Sequence, residues 1–484
     1  MKYFLLALLA IIGIPGLCQS FLDPTFAVGG VYTQDLGTSS VAYFSHMIVQ
    51  PDGRSIAVAN GSVTRLTEAG ELDPSFANQG VLAINADLQK VALYQGGKIV
   101  AAGAIPEFIG PQPCLVRLTT NGQMDGTFGT TGMATFPMFS EGRFKDVEAM
   151  NDGRLVALGN FTFAGDYIAG IVRTTASGAL DVTFSGDGFL PLDVPPGLVK
   201  AIAVQQDGKI LLCGNSANGI FVARFGTNGS VDASFNGTGM VSIPGERSVS
   251  DIVVQSGGGI ILGGITTQSW VNEAWLMRLT STGSIDQVFG SNGSTTIALS
   301  PTVHASSAGP VLAPDGSILL GGGFLFTSGM VVGRPFFCGF TPSGQLDPTF
   351  GVDGIILDSL NTNGDFGMVA MAPNGRFHSW GGTSNGVGGQ GIMLAYRRTP
   401  VGLNEPSWER STITVYPNPA SNKLIVEIPL GMNRQFILLD PKGSEVGSGM
   451  LPSDGTLSIG DLSPGMYRLV VLGSGISVPF VVQR

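Results

Sequence analysis

The chain has 484 residues, a formal net charge of −10 and only 12% charged residues. An acidic chain this poor in Lys and Arg has no basic surface for phosphate backbones or anionic headgroups, which argues against a nucleic acid partner. It contains 72 glycines and 28 prolines, a high share that stays below the level typical of low-complexity disorder. The composition therefore indicates a folded protein with many turns.

The first 20 residues have the layout of a secretory signal peptide. Lys2 precedes an apolar run, Phe4 to Ile14, and helix-breaking residues follow. The run is too short to span a bilayer, and no later stretch has the pattern of a membrane helix. We predict a cleaved signal peptide over residues 1–20, and a lipoprotein with its lipid on Cys18 is the less favoured alternative.

A short motif, an Asp followed three residues later by Phe, recurs seven times at spacings of 50 to 61 residues. This spacing is close to that of solenoids and propellers. The Asp side chain can accept hydrogen bonds from the next turn, which gives the Phe a fixed direction, and burial of each Phe is worth about 1.5–3 kcal/mol. We call these motifs the tags, and we predict that they are structural anchors: Asp23 and Phe26, Asp73 and Phe76, Asp125 and Phe128, Asp181 and Phe184, Asp232 and Phe235, Asp286 and Phe289, Asp347 and Phe350.

Each repeat also contains a two-residue turn of the kind that closes tight hairpins, because it supplies the positive φ that such a hairpin needs. The seven turns are Asp52-Gly53, Gly96-Gly97, Asp152-Gly153, Asp207-Gly208, Gly257-Gly258, Asp315-Gly316 and Asn374-Gly375. A later strand carries an Arg in five repeats, and we assign Phe340 and Arg397 to that position in the last two. The Arg residues are Arg65, Arg117, Arg173, Arg224 and Arg278. Pairing with the tag Asp is favoured over a ring of anion-binding groups.

These landmarks give about four short strands per repeat, which is the content of one propeller blade. An open solenoid needs polar capping repeats at its ends, and none is visible in the sequence. We therefore predict an all-β protein with a seven-bladed β-propeller over residues 21–398.

The tags carry a resemblance to a known repeat family. Leu-Asp-Pro-Ser-Phe, a Gly-rich turn, Gln-Pro-Asp-Gly at Gln50 to Gly53 and Arg-Leu-Thr at Arg65 to Thr67 together resemble the delta-60 repeat of β-propellers. The fifth and sixth copies depart from it at Val231 and Gln287. The resemblance covers residues 21–398 and implies a propeller, with no catalytic residue attached to it.

A polar, Pro-containing linker over residues 399–411 leads to a C-terminal unit over residues 412–484, whose short alternating strands predict a small β-sandwich. This unit resembles the type A C-terminal sorting domain of type IX secretion, although a Lys that often precedes its last strand is missing. The resemblance rests on Tyr416, Pro417, Asn418 and Pro419 at the start and on Gly465 and Tyr467 near the end. It implies recognition by the type IX machinery and delivery to the medium or the outer-membrane cell surface.

Residues with catalytic or metal-binding potential are scarce. The string Gly382 to Gly386 matches G-x-S-x-G, but no His follows Ser384, and we interpret it as a Gly-rich loop. The three histidines, His46, His304 and His378, lie at different distances from their hairpin turns, which argues against a shared metal site. Cys114, Cys213 and Cys338 are expected to be buried free thiols. We predict no catalytic residue, no cofactor and no metal.

The predicted function is that of a secreted or cell-surface binding or scaffold protein without enzymatic activity. Propellers commonly bind ligands at the mouths of the central channel, and both protein and carbohydrate ligands remain open. The alternative is an extracellular propeller enzyme acting on polysaccharide, which would need carboxylates, His or Tyr converging from several blades.

Overall fold

The computed structural model describes residues 21–36, 43–108, 110–266, 273–298, 303–326, 332–358, 366–384, 389–399, 414–416, 420–427, 434–440, 445–452, 454–471 and 477–483. The predicted signal peptide lies outside these residues. The described part is all β apart from a single-turn 3-10 segment at Gln95–Gly97, and none of its helices is long and apolar enough to cross a membrane. Two compact units, Met1–Gly402 and Leu403–Arg484, divide the chain.

The first unit consists of short strands separated by tight turns. They are β1 (Val31–Asp35), β2 (Phe44–Val49), β3 (Ser55–Leu66), β4 (Val81–Leu93), β5 (Ile99–Ile105), β6 (Gln112–Leu118), β7 (Met133–Thr135), β8 (Glu141–Ala149), β9 (Leu155–Phe163), β10 (Asp166–Thr174), β11 (Phe189–Leu192), β12 (Val199–Val204), β13 (Ile210–Ser216), β14 (Gly219–Phe225), β15 (Met240–Pro244), β16 (Arg247–Val254), β17 (Ile260–Thr266), β18 (Glu273–Leu279), β19 (Ser294–Ala298), β20 (Val303–Leu312), β21 (Ile318–Phe326), β22 (Val332–Phe340), β23 (Ile355–Leu357), β24 (Phe366–Met371), β25 (Phe377–Ser384) and β26 (Gly389–Tyr396).

These strands form six antiparallel sheets. Four of them are four-stranded meanders, β8 to β11, β12 to β15, β16 to β19 and β20 to β23. A fifth joins both ends of the unit, since β1 pairs with β26 in the order β1-β26-β25-β24. The sixth runs from β2 to β7. In it, β3 pairs with β2 through its first half and with β4 through its second half, and β4 continues into a pairing with β5. This six-stranded sheet therefore carries two consecutive repeats.

The predicted hairpin turns connect the first and second strands of each repeat. At the first turn, Gly53 has φ +85°, its N–H donates to the carbonyl of Gln50 at 2.9 Å, and the N–H of Gln50 donates to the carbonyl of Arg54 at 2.7 Å. The same two bonds recur at five further turns, with Met150 to Arg154 and Gln205 to Lys209 as examples, and at Gly96-Gly97 the N–H of Tyr94 donates to the carbonyl of Lys98 at 2.8 Å. All seven turns lie at the same end of their sheets, which we call the hairpin end.

The first strands of the repeats follow one another in space as they do in sequence. Each of β2, β4, β8, β12, β16, β20 and β24 contacts the next, and β24 contacts β2. Apolar clusters fill the space between neighbouring sheets: Leu211 of β13 and Ile252 of β16 belong to one cluster with Trp275. The core of this unit is therefore divided among the junctions between sheets.

The second unit has its own core. Its strands are β27 (Thr414–Tyr416), β28 (Lys423–Glu427), β29 (Gln435–Leu439), β30 (Glu445–Met450), β31 (Thr456–Ser458), β32 (Gly465–Val471) and β33 (Ser477–Val482). They form a three-stranded sheet, β27-β28-β31, and a four-stranded sheet, β30-β29-β32-β33. Leu424, Phe436, Leu469 and Phe480 from both sheets lie in one buried cluster.

Candidate functional site

The recurring Arg of the third strand forms a structural cluster with its tag. In five repeats the Arg Nε lies 2.7–2.9 Å from an oxygen of the tag Asp, and the guanidinium lies over the tag Phe ring at 4.5–4.8 Å from its centre. Its Nη1 donates to a backbone carbonyl of the next repeat, as Arg65 does to Thr120 at 2.5 Å. Each Arg therefore joins two repeats and leaves no ring of free cations.

The tag Phe residues lie between consecutive repeats. All seven are at most 1% exposed, and most pack on a glycine of the following repeat: a Cβ added to Gly122 would lie 2.6 Å from the Phe76 ring. The residue after each tag donates its N–H to that repeat as well, for example Ala77 to the carbonyl of Asn121 at 2.8 Å. Of the tag carboxylates, four are buried, namely Asp23, Asp73, Asp125 and Asp181, while Asp232, Asp286 and Asp347 are partly exposed.

The Arg position of the last two repeats differs from the sequence assignment. The N–H of each tag Asp donates to the carbonyl of the residue at this position, and in these repeats the acceptors are Gly339 and Ala395. The assignments of Phe340 and Arg397 were therefore wrong by one and two residues, because they followed residue type and not strand register.

In the last repeat an Arg from the hairpin replaces the missing strand Arg. Arg376 Nε lies 2.6 Å from Asp23, its Nη2 donates to the Thr25 hydroxyl at 3.1 Å, and its Nη1 donates to the carbonyl of Glu68 at 2.5 Å. Arg397 adds a second ion pair to Asp23 at 2.9 Å. Burial acts to raise the pKa of Asp23, but hydrogen bonds from Arg397 and Thr25 outweigh it and bring the pKa to about 2.

The first strands hold a cluster of charged side chains that the sequence analysis missed. Lys90 Nζ lies 3.4 Å from Asp146 and 4.0 Å from Asp251, so that residues of three different sheets meet. Asp146 also accepts a hydrogen bond from the backbone N–H of Ile202 at 2.9 Å. Burial opposes the charge on Lys90, but the nearby carboxylates prevail and raise its pKa. We call Lys90, Asp146, Glu148 and Asp251 the central charge cluster.

Glu148 connects this cluster to a cavity of about 920 Å³ at the hairpin end. Burial and the negative charges of Asp146 and Asp251 raise the pKa of Glu148 to about 8, against the opposing effect of Lys90. The cavity is lined by the hairpin turns of three consecutive repeats. Its polar walls include Asn151, Asp152, Arg154, Gln205, Gln206, Asp207 and Gln255.

This arrangement suits the binding of a polar ligand. Amide side chains both donate and accept hydrogen bonds, and a carboxyl group that keeps its proton near neutral pH can donate one. In the part of the chain that the structure describes, no group of three or more His, Cys, Asp or Glu could hold a metal ion. Lys90 provides the positive charge within the cluster.

A pattern in the sequence could have revealed the cluster. His46, Lys90, Asp146 and Asp251 each lie seven residues before the second residue of their hairpin turn. Charged residues that share one position on apolar first strands of a repeat array face a common axis.

The remaining candidates do not form a reactive site. His46 accepts a hydrogen bond from the N–H of Val91 at 3.4 Å, and His378 is buried beside Phe26. The His304 side chain lies outside the described residues. Gly382 to Ser384 belong to strand β25, so the expected Gly-rich loop was wrong for this part of the motif. The three thiols are buried and free, and burial raises the pKa of Cys338 to about 12.

The residues of the sorting motif are described in part. Tyr416 is 42% exposed and its hydroxyl donates to Glu427 at 2.6 Å. Tyr467 is buried, and its hydroxyl donates to the carbonyl of Ser463 at 2.9 Å. Gly465 begins β32. Pro417, Asn418 and Pro419 lie outside the described residues.

Comparison with protein families finds one match. The family described as "Domain of unknown function (DUF5122) beta-propeller" matches residues 97–128, 151–184, 205–235 and 313–350. Each matched stretch begins at or near a hairpin turn and ends at a tag Phe, so the family model covers the same repeat unit that the tags define. The chain is a propeller-type repeat protein. No curated protein matches it.

Several solved structures are similar to the chain at low identity. A protein of unknown function from Dyadobacter fermentans has 12% identity and a TM-score of 0.38, covering 76% of this chain and 100% of its own. An inactive virginiamycin B lyase variant from Staphylococcus aureus has 10% identity and a TM-score of 0.40, and the match covers 75% of this chain and 99% of the lyase. The polysaccharide lyase Uly1 has 10% identity and a TM-score of 0.44, and the match covers 76% of this chain and 99% of the lyase. Two of these three are named as lyases.

Proposed function

We propose that the first unit is a closed, seven-bladed propeller of delta-60-type repeats. Three features support this count. The six-stranded sheet carries two repeats, so six sheets account for seven. The first strands contact one another in cyclic order. The pairing of β1 with β26 joins the first tag to the last repeat. The central charge cluster then lies within the channel of the propeller.

The second unit is, in this proposal, a small β-sandwich that serves as a type IX sorting domain. Its two sheets share one buried cluster. The hydroxyl of Tyr467 donates to the carbonyl of Ser463 and stabilises the turn before the last two strands. Together with the predicted signal peptide, this unit directs the protein to the medium or the outer-membrane surface through the type IX machinery.

We propose that the protein binds a polar extracellular ligand at the hairpin end without transforming it. The observation that carries the proposal is the 920 Å³ cavity lined by the turns of three repeats, which lies within the volume range of small-molecule sites. The central charge cluster stabilises its floor, because Lys90 and Asp146 bridge neighbouring first strands. The ligand is a carbohydrate or a peptide with many hydrogen-bonding groups.

One observation favours the alternative of an enzyme that acts on polysaccharide. A carboxyl group with a pKa of about 8 that faces a cavity, as Glu148 does, has the properties of a general acid. Such a role needs a second group across the substrate to act as base or nucleophile. Asp152 and Asp207 also line this cavity and are the carboxylates available for the second role.

The experiment that separates these functions combines a glycan array with analysis of reaction products. We expect retention of specific glycans or peptides without product release, and weaker retention by Glu148→Ala and by Gln205→Ala, which each remove a hydrogen-bonding group from the cavity wall. Asn218→Ala, at the opposite end of its sheet, is the matched control and should bind normally. Release of shorter products that depends on Glu148 would establish the enzyme, and binding unaffected by both cavity variants would contradict the proposed site.

A further inference from the structure

The fifth repeat, counted by its hairpin turn Gly257-Gly258, ends in the sixth tag, and this is the one tag without a Ser or Thr two residues after its Asp. In the four repeats before it, the Arg Nη2 donates to that Ser or Thr at 2.7–3.1 Å, and the hydroxyl donates to Oδ1 of the tag Asp at 2.6–2.7 Å. The four residues are Ser75, Thr127, Thr183 and Ser234. The tag at Asp286 has Val288 at this position, which cannot form either bond.

The same repeat also lacks a hairpin cation. In the four preceding repeats the residue after the hairpin turn is Arg54, Lys98, Arg154 or Lys209, and its cationic group lies 2.7–3.3 Å from the tag Asp. Gly259 occupies this position in the fifth repeat. Two polar partners of the ion pair between Arg278 and Asp286 are therefore missing at one place.

A cavity of about 770 Å³ lies where the hairpin cation would be, between the fifth and sixth repeats, and Gly259 lines it. Arg278 and Asp286 line it, and their side chains are 16% and 22% exposed. The corresponding Arg side chains of the four preceding repeats are 1–6% exposed. The missing hairpin cation thus leaves this ion pair more exposed to solvent than its equivalents.

The exposed pair is held in a fixed geometry. Arg278 Nε lies 2.7 Å from Asp286, and its Nη1 donates to the carbonyl of Pro342 at 3.0 Å and to Gln255 at 3.3 Å. The guanidinium lies 4.7 Å above the ring of Phe289. Among the described residues no acceptor is bound to Nη2 of Arg278. A rigid donor and a rigid acceptor therefore face the cavity, so a ligand does not have to order them.

We propose that this cavity is a binding site for an amino sugar with a free amine. The open positions define the ligand: an ammonium group takes the place of the missing hairpin cation beside Asp286, and a neighbouring hydroxyl accepts a hydrogen bond from Nη2 of Arg278 on the cavity side. An amino sugar carries a hydroxyl and an ammonium on adjacent carbons, so one molecule can meet both groups. This site is separate from the 920 Å³ cavity, although Gln255 and Ser256 line both.

Calorimetric titration of the full mature chain with glucosamine tests the proposal, with glucose and N-acetylglucosamine as probes that lack the ammonium group. Val288→Thr and Gly259→Lys restore the residues of the other repeats and should each weaken glucosamine binding about tenfold, because each supplies an internal replacement for a charge-assisted contact. The double variant should lose binding. A Cβ at position 259 would approach flexible atoms of Gln255 and Arg278 at 2.8 and 3.1 Å, which side-chain adjustment can relieve.

The control variant is Ser234→Val, which removes the equivalent hydroxyl in the fourth repeat and should leave glucosamine binding at the fifth unchanged. Both restoring variants should unfold at or above the wild-type temperature, which separates loss of binding from loss of the fold. Equal affinity of the wild type and the double variant overturns the proposal. So does a wild type that binds the two uncharged sugars as tightly as glucosamine, or that binds none of the probes.

Discussion

His378 is a polar residue at a position that is apolar in every other repeat. The equivalent residues of the other six are all aliphatic: Ile56, Val100, Val156, Leu211, Ile261 and Leu319. His378 is 1% exposed, and neither ring nitrogen has a hydrogen-bond partner in the described structure. Burial, reinforced by the charge of Arg376 and opposed by Asp23, lowers its pKa to about 3.

We predict that His378→Leu makes the protein less sensitive to acid. The unfolded chain binds a proton at this residue near pH 6.5 whereas the folded chain does not until about pH 3, so this residue lowers the free energy of unfolding as the pH falls between these values. The loss is about 1.4 kcal/mol per pH unit. Urea unfolding at pH 7 and pH 4.5 measures it, with Ile261→Leu as the control. Equal pH dependence in wild type and His378→Leu would contradict the prediction.

Glu148 should produce the opposite dependence. Its pKa is raised from 4.5 to about 8, so the folded chain retains a proton that the unfolded chain releases, and stability falls as the pH rises through this interval. We predict that Glu148→Gln is more stable than the wild type at pH 8, by a few kcal/mol at most, and equally stable at pH 4. Thermal unfolding at both pH values tests this. Glu107→Gln, which changes an exposed carboxylate, should behave as the wild type does.

At this scale the sequence predicted residues that form local bonds and missed residues that act across the array. The tag Asp residues were visible because a carboxylate two residues before a Ser or Thr caps its own turn, as Asp73 does for Ser75. Lys90 and Asp251 come from first strands three repeats apart, and only their equal distance from the hairpin turns, compared across the repeats, indicates that they meet. The open ion pair at Arg278 became apparent only beside its closed equivalents.

Among the elements, the sheet formed by β1 and β24 to β26 differs from the others because its strands come from both ends of the first unit. Its tag carboxylate, Asp23, depends on Arg376 from a hairpin and on Arg397. Asp73 of the next repeat is paired with its strand Arg, Arg65, and with Arg54. The cation that remains beside Asp73, Arg65, is 4% exposed and has further bonds to Ser75 and Thr120, whereas the cation that remains beside Asp23, Arg397, is 44% exposed. Loss of the hairpin Arg should therefore cost more at Asp23.

We predict that Arg376→Ala loosens the pairing of β1 with β26, whereas Arg54→Ala leaves its own sheet intact. Removing Arg376 leaves a carboxylate that is 1% exposed with a single cation, and we expect a loss of about 2 kcal/mol because Arg397 still pairs with it. Hydrogen exchange measured by mass spectrometry should show faster exchange in Val31–Asp35 for Arg376→Ala alone. Similar exchange in both variants would argue against this role.

The sequence predicted hairpins better than sheets. A turn such as Asp52-Gly53 specifies two adjacent strands through its own backbone geometry, and the structure has a hairpin at each of the seven turns. The continuous strands β3 and β4, which join two repeats in one sheet, depend on how neighbouring segments align. Their pattern of apolar residues does not specify where one repeat ends and the next begins.

At the scale of the whole molecule, the two units have separate cores, and the division at Gly402 falls within the predicted linker over residues 399–411. Repetition made the class of the first unit predictable, because seven copies of one motif can only stack on each other. Its ligand was not predictable. The 770 Å³ cavity lies where one copy departs from the common pattern at Gly259, and this departure has meaning only in the assembled structure.

We predict that a chain ending at Gly402 keeps a fully folded first unit but is not exported across the outer membrane. Among the residues that the structure describes, the buried clusters of the first unit contain none from the second, so its thermal unfolding should be unchanged. Fractionation of producing cells should find the truncated protein in the periplasm and the full chain outside. Normal export of the truncated chain would contradict the proposed sorting domain.

The joint between the first tag and the last repeat has a consequence for protein engineering. The N–H of Arg397 donates to the carbonyl of Phe21 at 2.9 Å, and the contacts at this joint reproduce those between sequence neighbours. A short peptide could therefore link the two ends, and new termini could be opened at an exposed turn elsewhere. Such circular permutants should adopt the same fold, because the contacts between neighbouring copies hold the repeats together whichever copy comes first in the chain.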